Sequence, residues 1–222
     1  VLQSKYIGAI VVAAYSYMAL VPIIQPPVIR LITTKKERMI RMPYRQRSVS
    51  KTARILFPIF ITIIAGIVSP KSVALVGFLM FGNLIRECGV LESLSETAQN
   101  VLANLITILL GFTVATKMQA DQFLAWDTIL IMCLGLVAFI FDTVGGVLLA
   151  KLINLFLPRE KKINPMIGAA GISAFPMSAR VINRMGLKED PQNFLLMHAV
   201  GVNVSGQIAS VIAGGLILTL VQ

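Results

Sequence analysis

Long apolar runs alternate with short polar connections along most of the chain. A membrane-spanning helix needs about 20 predominantly apolar residues, and several of the runs approach or exceed that length. The runs cover residues 6–20, 55–68, 72–85, 98–116, 128–157 and 193–221. None of them carries the polar face at helical spacing that is typical of a helix in a soluble protein. The pattern predicts an all-α, polytopic integral membrane protein.

The stretch 164–180 (NPMIGAAGISAFPMSAR) is apolar, yet it cannot form one unbroken helix. Pro165 and Pro176 each remove a backbone donor, and Gly168 and Gly171 allow the backbone to bend and approach a neighbour. Inside a bilayer, irregular backbone persists only where protein or a water-filled cavity covers it. A Gly/Pro-interrupted apolar segment also indicates the binding site of a transporter. We therefore predict discontinuous helices and a re-entrant hairpin; a plain loop is the alternative.

Charge is scarce and concentrated in one place. Only 14% of the residues are charged, whereas soluble domains carry about 25%, and the net charge is +10. The segment 30–54 holds most of this excess, because its one acid, Glu37, stands among many Lys and Arg residues. A short basic loop between spans is typical of the cytoplasmic side of a membrane. We interpret 30–54 and the basic patch 158–164 as cytoplasmic, in preference to nucleic-acid binding.

Three polar residues lie where chemistry within a membrane is expected. Asp142 is near the middle of a long apolar run, where a bare carboxylate costs about 2.5–3.5 kcal/mol, so it needs a partner, water or a cation. Arg180 adjoins the interrupted stretch, and its planar guanidinium suits a carboxylate. Tyr17 lies in an apolar helix, where its hydroxyl needs a partner and can relay a proton. The structural alternatives are a hydrogen bond within the bundle for Asp142, an interfacial anchor for Arg180 and aromatic packing for Tyr17.

Neutral oxygens gather in and after the interrupted stretch. Asn164, Ser173, Asn203 and Ser205 offer amide and hydroxyl oxygens, and a helix break exposes backbone carbonyls beside them. Such ligands suit a hard monovalent cation such as sodium. They do not suit zinc or copper, which prefer His and Cys. The residues therefore predict a sodium site at the break, with Asp142, Asn203 and Ser205 as possible sodium ligands or structural groups.

Four long segments carry a family resemblance. They are AAYSYMALVPIIQPP (13–27), FGNLIRECGVLESLSETAQN (81–100), KINPMIGAAGISAFPMSARV (162–181) and DPQNFLLMHAVGVNVSGQIAS (190–210). These segments closely resemble the beta subunit of sodium-pumping, biotin-dependent decarboxylases, which act on oxaloacetate, methylmalonyl-CoA or glutaconyl-CoA. The resemblance covers essentially all of residues 1–222 as one transmembrane domain, and it corresponds to the C-terminal part of the family's chain.

The resemblance implies both an activity and its residues. The family's beta subunit decarboxylates carboxybiotin, consumes a proton and drives sodium outward. The family's key positions map onto Asn164, Gly168 and Ser173 for sodium, and onto Arg180 and Tyr17 for the chemistry. Arg180 would meet the carboxylate of carboxybiotin at the cytoplasmic mouth, and Tyr17 would supply or relay the proton.

The resemblance also implies partners and a location. Carboxybiotin would be presented by a biotin carrier, while a carboxyltransferase alpha subunit and a small single-span gamma or delta subunit would complete an oligomeric complex in the inner cell membrane. The family's essential Asp, in a GGADGPTAI-like motif, would precede Val1, so we expect residues before the start of this sequence. The chain would then form half of an inverted-repeat, transporter-like fold.

The substrate and the class of protein have competing interpretations. IFDTVGG around Asp142 and GQIAS near the end look more like the acyl-CoA decarboxylating members than the oxaloacetate ones. One alternative is a sodium-coupled secondary transporter with no decarboxylase chemistry. A second is a structural membrane subunit that only docks a soluble enzyme, although an acid within the membrane and the interrupted stretch speak against it.

Overall fold

The computed structural model describes residues 7–44, 48–116 and 125–221, and those residues form helices and connections without a β-strand. Tyr6 and most of the predicted connection 117–127 lie outside the described residues. The helices are α1 (Ile7–Ile32), α2 (Lys35–Arg38), α3 (Lys51–Val68), α4 (Val73–Cys88), α5 (Glu92–Thr97), α6 (Ala103–Ala115), α7 (Trp126–Phe156), α8 (Met177–Glu189) and α9 (Leu196–Leu220).

Helices long and apolar enough to cross a membrane are present at four places in the described part of the chain. They are Ile10–Ile32, Lys51–Val68, Trp126–Phe156 and Leu196–Leu220. α7 alone has 31 residues, which at 1.5 Å per residue exceeds the thickness of a hydrocarbon core. The prediction of an all-α, polytopic membrane protein is confirmed.

The chain divides into two compact units. Unit 1 comprises Val1–Tyr44 and Val114–Gln207, and unit 2 comprises Arg45–Thr113 and Ile208–Gln222. In unit 1, α1, α7, α8 and the segment between α7 and α8 pack together around a buried apolar cluster that includes Val21, Ile29, Val147, Met166 and Ile182.

Unit 2 is built on the pair α3 and α4. A short 3₁₀ turn, Pro70–Ser72, joins these helices, and Ala65, Val76 and Met80 form their buried contact. α4 ends at Gly89, whose φ of 69° is a left-handed conformation that favours glycine. α5 then continues through a π-helical turn, Ala98–Leu102, into α6, so the segment between the predicted runs 72–85 and 98–116 is largely helical.

The prolines that follow the predicted run 6–20 do not end the helix. α1 continues through Pro22, Pro26 and Pro27 to Ile32. Each proline removes one N–H from the helical ladder, but packing against α7 and α8 holds the helix in place. Neighbouring helices routinely stabilise such prolines in membrane helices.

Two of the connections between the predicted runs contain helices in their described residues. The basic loop 30–54 begins inside α1, contains the short helix α2 and ends inside α3, whose first turn is capped by the Ser50 hydroxyl. The polar segment 181–192 is mostly α8, since its apolar residues Val181, Ile182 and Met185 recur at helical spacing and are buried.

Candidate functional site

The interrupted stretch 164–180 lies in the core of unit 1. Asn164, Met166, Ala169 and Ala170 are fully buried, and the apolar cluster of unit 1 surrounds them. An exposed loop between two helices would not be buried in this way. The stretch therefore has the covered environment that irregular backbone requires inside a membrane.

The stretch is broken as its prolines and glycines predict. Asn164 caps a 3₁₀ helix, Pro165–Ala170, by accepting a hydrogen bond from the backbone N–H of Met166 at 3.1 Å. Residues 171–176 are irregular and include a cis peptide bond between Phe175 and Pro176. α8 begins directly afterwards at Met177.

Two pairs of glycines bring the break close to neighbouring helices. A Cβ on Gly168 would overlap the carbonyl of Gly146 in α7, and a Cβ on Gly146 would overlap the carbonyl of Gly168. A Cβ on Gly206 of α9 would likewise overlap the backbone of Gly171. The close packing predicted for Gly168 is thus present, and it depends on a partner glycine in α7.

Side chains from neighbouring helices donate hydrogen bonds to backbone carbonyls that lack a helical partner at the break. Gln25 of α1 donates its Nε2 hydrogens to the Ala169 carbonyl and to the Ser178 hydroxyl, both at 2.9 Å. The Ser178 hydroxyl also lies 3.0 Å from both the Ala169 carbonyl and Oε1 of Gln25. Gln25 and Ser178 are both fully buried, so α1 is joined to the break by a closed polar network.

α9 holds the second half of the break. Asn203 donates its Nδ2 hydrogens to the carbonyls of Ala170 and Ile172, at 2.8 and 2.7 Å. One turn later, Gln207 donates to the carbonyl of Ser173 at 3.1 Å. Together with Gln25, these amides replace the helical partners that the carbonyls lack.

The side-chain oxygen of Asn203 stands apart from this network. Asn203 is fully buried, and its Oδ1 accepts no hydrogen bond from any residue that the structure describes. A buried acceptor without a partner costs about 1–3 kcal/mol, so native structures rarely leave one unused. Its position beside the break makes this oxygen a candidate ligand for a cation.

Asn164 lies at the other end of the broken stretch, where its amide is used in folding. Its Nδ2 donates to the carbonyls of Arg38 and Ile40, at 2.8 and 3.0 Å. Its backbone N–H points to the sulfur of Met42 at 3.2 Å. The predicted sodium residue Asn164 therefore anchors the segment that follows α1, while its Oδ1 caps the 3₁₀ helix.

Two ion pairs hold that segment against the end of α8. Arg38 pairs with Glu189 at 2.8 Å, and Arg41 forms a bidentate contact with Asp190. The Arg41 hydrogen bonds, with help from the backbone N–H of Gln192, hold the pKa of the Asp190 carboxyl below its usual range. Part of the predicted basic loop is thus docked through its own arginines.

The remaining predicted site residues are spread along the helices around the break. The hydroxyl of Tyr17 donates to the carbonyl of Met132, and its ring packs on Gly135 of α7. Asp142 is exposed on α7, one turn before Gly146. Ser205 is exposed on α9 and donates to the carbonyl of Gly201 at 3.0 Å.

Arg180 and Ser173 are at the break itself. Ser173 is exposed within the irregular segment, and Arg180 is exposed in the first turn of α8. Arg180, Arg184 and Lys188 follow one another at intervals of four, so they form a cationic stripe on the exposed face of α8. Arg180 precedes Glu189 by nine residues of α8, a rise of about 13.5 Å along the helix axis, so it lies at the end of α8 that meets the break and not at the end that meets the docked basic segment.

Sequence reasoning missed the amide donors Gln25 and Gln207 and the hydroxyl of Ser178. Gln25 could have been found, because it is a strongly polar side chain flanked by prolines in an otherwise apolar helix. Within the described part of the chain, no three His, Cys, Asp or Glu side chains come together as metal ligands would. The polar groups that do meet at the break are neutral amides, hydroxyls and carbonyls.

Comparison with known proteins gives a consistent result. Residues 1–221 match the family model described as "Na+-transporting oxaloacetate decarboxylase beta subunit". The chain is 53% identical over 220 residues to oxaloacetate decarboxylase beta chain 2 of Salmonella typhi, covering 99% of this chain and 50% of the relative.

Relatives with other substrates in their names are nearly as similar. The methylmalonyl-CoA decarboxylase subunit beta of Propionigenium modestum is 52% identical, with 99% of this chain and 55% of the relative covered. The glutaconyl-CoA decarboxylase subunit beta of Acidaminococcus fermentans is 50% identical, with 97% and 56% covered. The chain thus spans about half the length of the curated relatives it matches.

Proposed function

Since the chain belongs to the Na+-transporting oxaloacetate decarboxylase beta subunit family, we propose that it acts in the membrane subunit of a sodium-translocating decarboxylase. In this proposal, carboxybiotin loses CO₂ and the biotin nitrogen takes up a proton. The free energy of that step drives sodium across the membrane. The observation that carries the proposal is the buried oxygen of Asn203, which has no hydrogen-bond donor among the described residues and lies beside the break in 164–180.

Sodium is proposed to bind at the break. The Asn203 oxygen is one ligand, and the carbonyls of Ala170 and Ile172, which lie within hydrogen-bond distance of the same amide, provide the neighbouring oxygens. A carbonyl that accepts one hydrogen bond keeps a second lone pair for a cation. Neutral oxygens at a helix break suit sodium.

The other predicted sodium residues are kept in the proposal. Ser173 contributes its oxygens from the irregular segment, and Asn164 either ligates through its second lone pair or positions the break through its cap. Gly168 allows the stretch to approach α7. Asp142 and Ser205 are proposed as groups that tune the affinity for sodium from α7 and α9.

The reacting carboxylate is proposed to meet Arg180. This guanidinium makes no hydrogen bond or ion pair with another described residue, and Arg184 and Lys188 continue the positive face towards the end of α8. A guanidinium can hold a carboxylate through two parallel hydrogen bonds. Tyr17 is proposed to supply or relay the proton, and the added positive charge lowers the affinity for sodium and favours its release.

The proposed partners rest on the family resemblance. A biotin carrier delivers carboxybiotin, a carboxyltransferase alpha subunit charges that carrier, and a small single-span gamma or delta subunit completes an oligomeric complex. We place this complex in the inner cell membrane, with the basic segments 30–54 and 158–164 on the cytoplasmic side.

An acyl-CoA, either methylmalonyl-CoA or glutaconyl-CoA, is the proposed source of the carboxyl group. The support is the likeness of IFDTVGG around Asp142, and of GQIAS near the end, to the acyl-CoA members. The chain is 53, 52 and 50% identical to relatives named for oxaloacetate, methylmalonyl-CoA and glutaconyl-CoA, respectively, and these similar identities do not distinguish the three substrates. An assay of the purified alpha subunit from the same complex with oxaloacetate, methylmalonyl-CoA and glutaconyl-CoA would show which of them is the source of the carboxyl group.

The function is tested on the reconstituted complex that contains this chain. Free carboxybiotin decarboxylation is measured with sodium and with potassium, and sodium uptake into vesicles is followed in parallel. We expect decarboxylation to need sodium and Arg180→Ala to abolish it. Arg184→Ala, on the same face of α8, is the matched control and should retain most of the activity.

Two results would overturn the proposal. Decarboxylation at the same rate in potassium as in sodium would show that decarboxylation is not coupled to sodium transport. Sodium uptake that proceeds without carboxybiotin, driven by another solute, would favour the alternative of a secondary transporter.

A further inference from the structure

A cavity of about 320 Å³ opens in unit 1 beside the last turns of α7. None of the residues proposed for sodium or carboxybiotin lines it. Its wall combines charged and apolar side chains: Lys36, Glu37, Lys151, Lys162, Ile40 and Leu155. Such a lining suits a ligand that carries both a negative charge and an apolar part.

The single acid in the cavity is already neutralised by the protein. Oε2 of Glu37 accepts hydrogen bonds from the backbone N–H and the hydroxyl of Thr34, at 2.7 and 2.9 Å. Oε1 of Glu37 pairs with Lys151 at 3.1 Å. Burial raises the pKa of Glu37, but these hydrogen bonds and the lysine outweigh it and hold the pKa below its usual range. Glu37 and Lys151 therefore cancel each other.

The other two lysines leave the cavity positively charged. Lys36 and Lys162 form no ion pair with any described acid, and both are exposed. They come from segments far apart in the sequence, α2 and the connection after α7, and the fold brings them to one cavity. An anion bound there would meet two cations at once.

The cavity lies where a membrane-spanning helix ends. Lys151 and Leu155 belong to the final turns of the candidate span Trp126–Phe156. Leu155 is 78% exposed and Phe156 83% exposed, so an apolar surface continues directly from the charged lining. With α7 spanning the membrane, Leu155 and Phe156 lie towards the hydrocarbon, and Lys36 and Lys162, which lie beyond the ends of α1 and α7, are on the side of the lipid headgroups.

We propose that this cavity binds the phosphate headgroup of an anionic phospholipid, with Lys36 and Lys162 as its cationic contacts and Leu155 against its acyl chain. Basic pockets at the ends of membrane helices bind anionic lipid headgroups in this way. The bound lipid would link α2 to α7 at one end of unit 1.

The test uses the purified chain in neutral detergent and native mass spectrometry. Dioleoyl phosphatidylglycerol is titrated against dioleoyl phosphatidylcholine, which has the same acyl chains and no net charge. We expect preferential retention of phosphatidylglycerol, and a loss of about tenfold or more in its affinity in the double variant Lys36→Gln/Lys162→Gln. The matched control is Lys35→Gln/Lys161→Gln, which removes equal charge from neighbouring residues that do not line the cavity.

Each outcome is decisive. Loss of affinity in the first double variant alone supports the site. An equal loss of affinity in both double variants would show only a general electrostatic attraction of the basic surface for the anionic lipid. Unchanged affinity in both variants would show that these lysines do not bind it. Either result would overturn the proposal. Displacement of the lipid by millimolar inorganic phosphate would show a site for a free anion and not for a lipid.

Discussion

Gly146 and Gly168 show how strongly single residues control the broken stretch. Each occupies a position where the other's carbonyl leaves no room for a Cβ. Gly145, the preceding residue of the same helix, has no atom from elsewhere within 4 Å of where its Cβ would be. Comparing substitutions at Gly145 and Gly146 therefore distinguishes the close contact at Gly146 from the general effect of a glycine in a helix.

We expect Gly146→Ala to lower the free energy of unfolding by about 1–3 kcal/mol or more, because overpacking forces the break away from α7. Gly145→Ala should leave stability unchanged or raise it by about 0.5–1 kcal/mol, since alanine favours a helix. Chemical unfolding in mixed micelles measures both. Equal stability of the two variants would contradict the close contact.

Gln25 is the residue-scale link between α1 and the break. Gln25→Met keeps the length of the side chain but removes its hydrogen bonds to Ala169 and Ser178. We expect a loss of about 1–2 kcal/mol of stability. Gln192→Met removes one exposed hydrogen bond, from Arg41, and should cost less, about 0.5 kcal/mol. If the two substitutions have the same effect in micelles, the buried network does not hold the break.

At the scale of elements, α8 is the least obvious helix in the sequence and the one that organises the site. Its buried face carries Val181 and Ile182, whereas Arg180 is on its exposed face. One end meets the break and the other meets the segment after α1 through Asp190. α8 therefore couples the position of Arg180 to the docked part of the basic loop.

This docking has a predictable pH dependence. Arg41 holds the pKa of Asp190 below its ordinary value of about 3.9. The pair therefore contributes stability above that pH, and the contribution is lost as the pH falls through the lower pKa of the folded state. Hydrogen exchange of residues 33–44, measured from pH 6 to pH 3, should show the segment loosening in acid.

The variants Asp190→Asn and Arg41→Gln isolate this effect. Each should loosen the segment already at pH 6 and remove the part of the acid dependence that belongs to the pair. The same pH profile in the wild type and in Asp190→Asn would show that the contact does not hold the segment.

For the whole molecule, the sequence predicted the membrane class and the long helices well. α7 and α9 begin and end within a few residues of the predicted runs, because length and apolar content alone define such helices. The broken stretch was predicted from Pro165, Pro176 and its glycines, since their effect on the backbone is local.

The partners of the break could not be predicted from local pattern. Gln25 lies 144 residues before Ala169, whose carbonyl it contacts. Asn203 lies 33 residues after Ala170, whose carbonyl it contacts. The continuation of α1 through three prolines likewise depends on packing against α7 and α8. Contacts of this kind follow from the fold and not from periodicity, so the amide donors and the orphaned oxygen of Asn203 emerged only from the structure.

The central claim is that the oxygen of Asn203 takes part in binding sodium, and equilibrium binding of radioactive sodium to the purified chain tests it directly. We expect saturable binding, at least about tenfold weaker in Asn203→Ala. Asn193→Ala is the matched control, because Asn193 is also buried with an oxygen that no described residue contacts. Identical sodium isotherms for the wild type and Asn203→Ala would contradict the account.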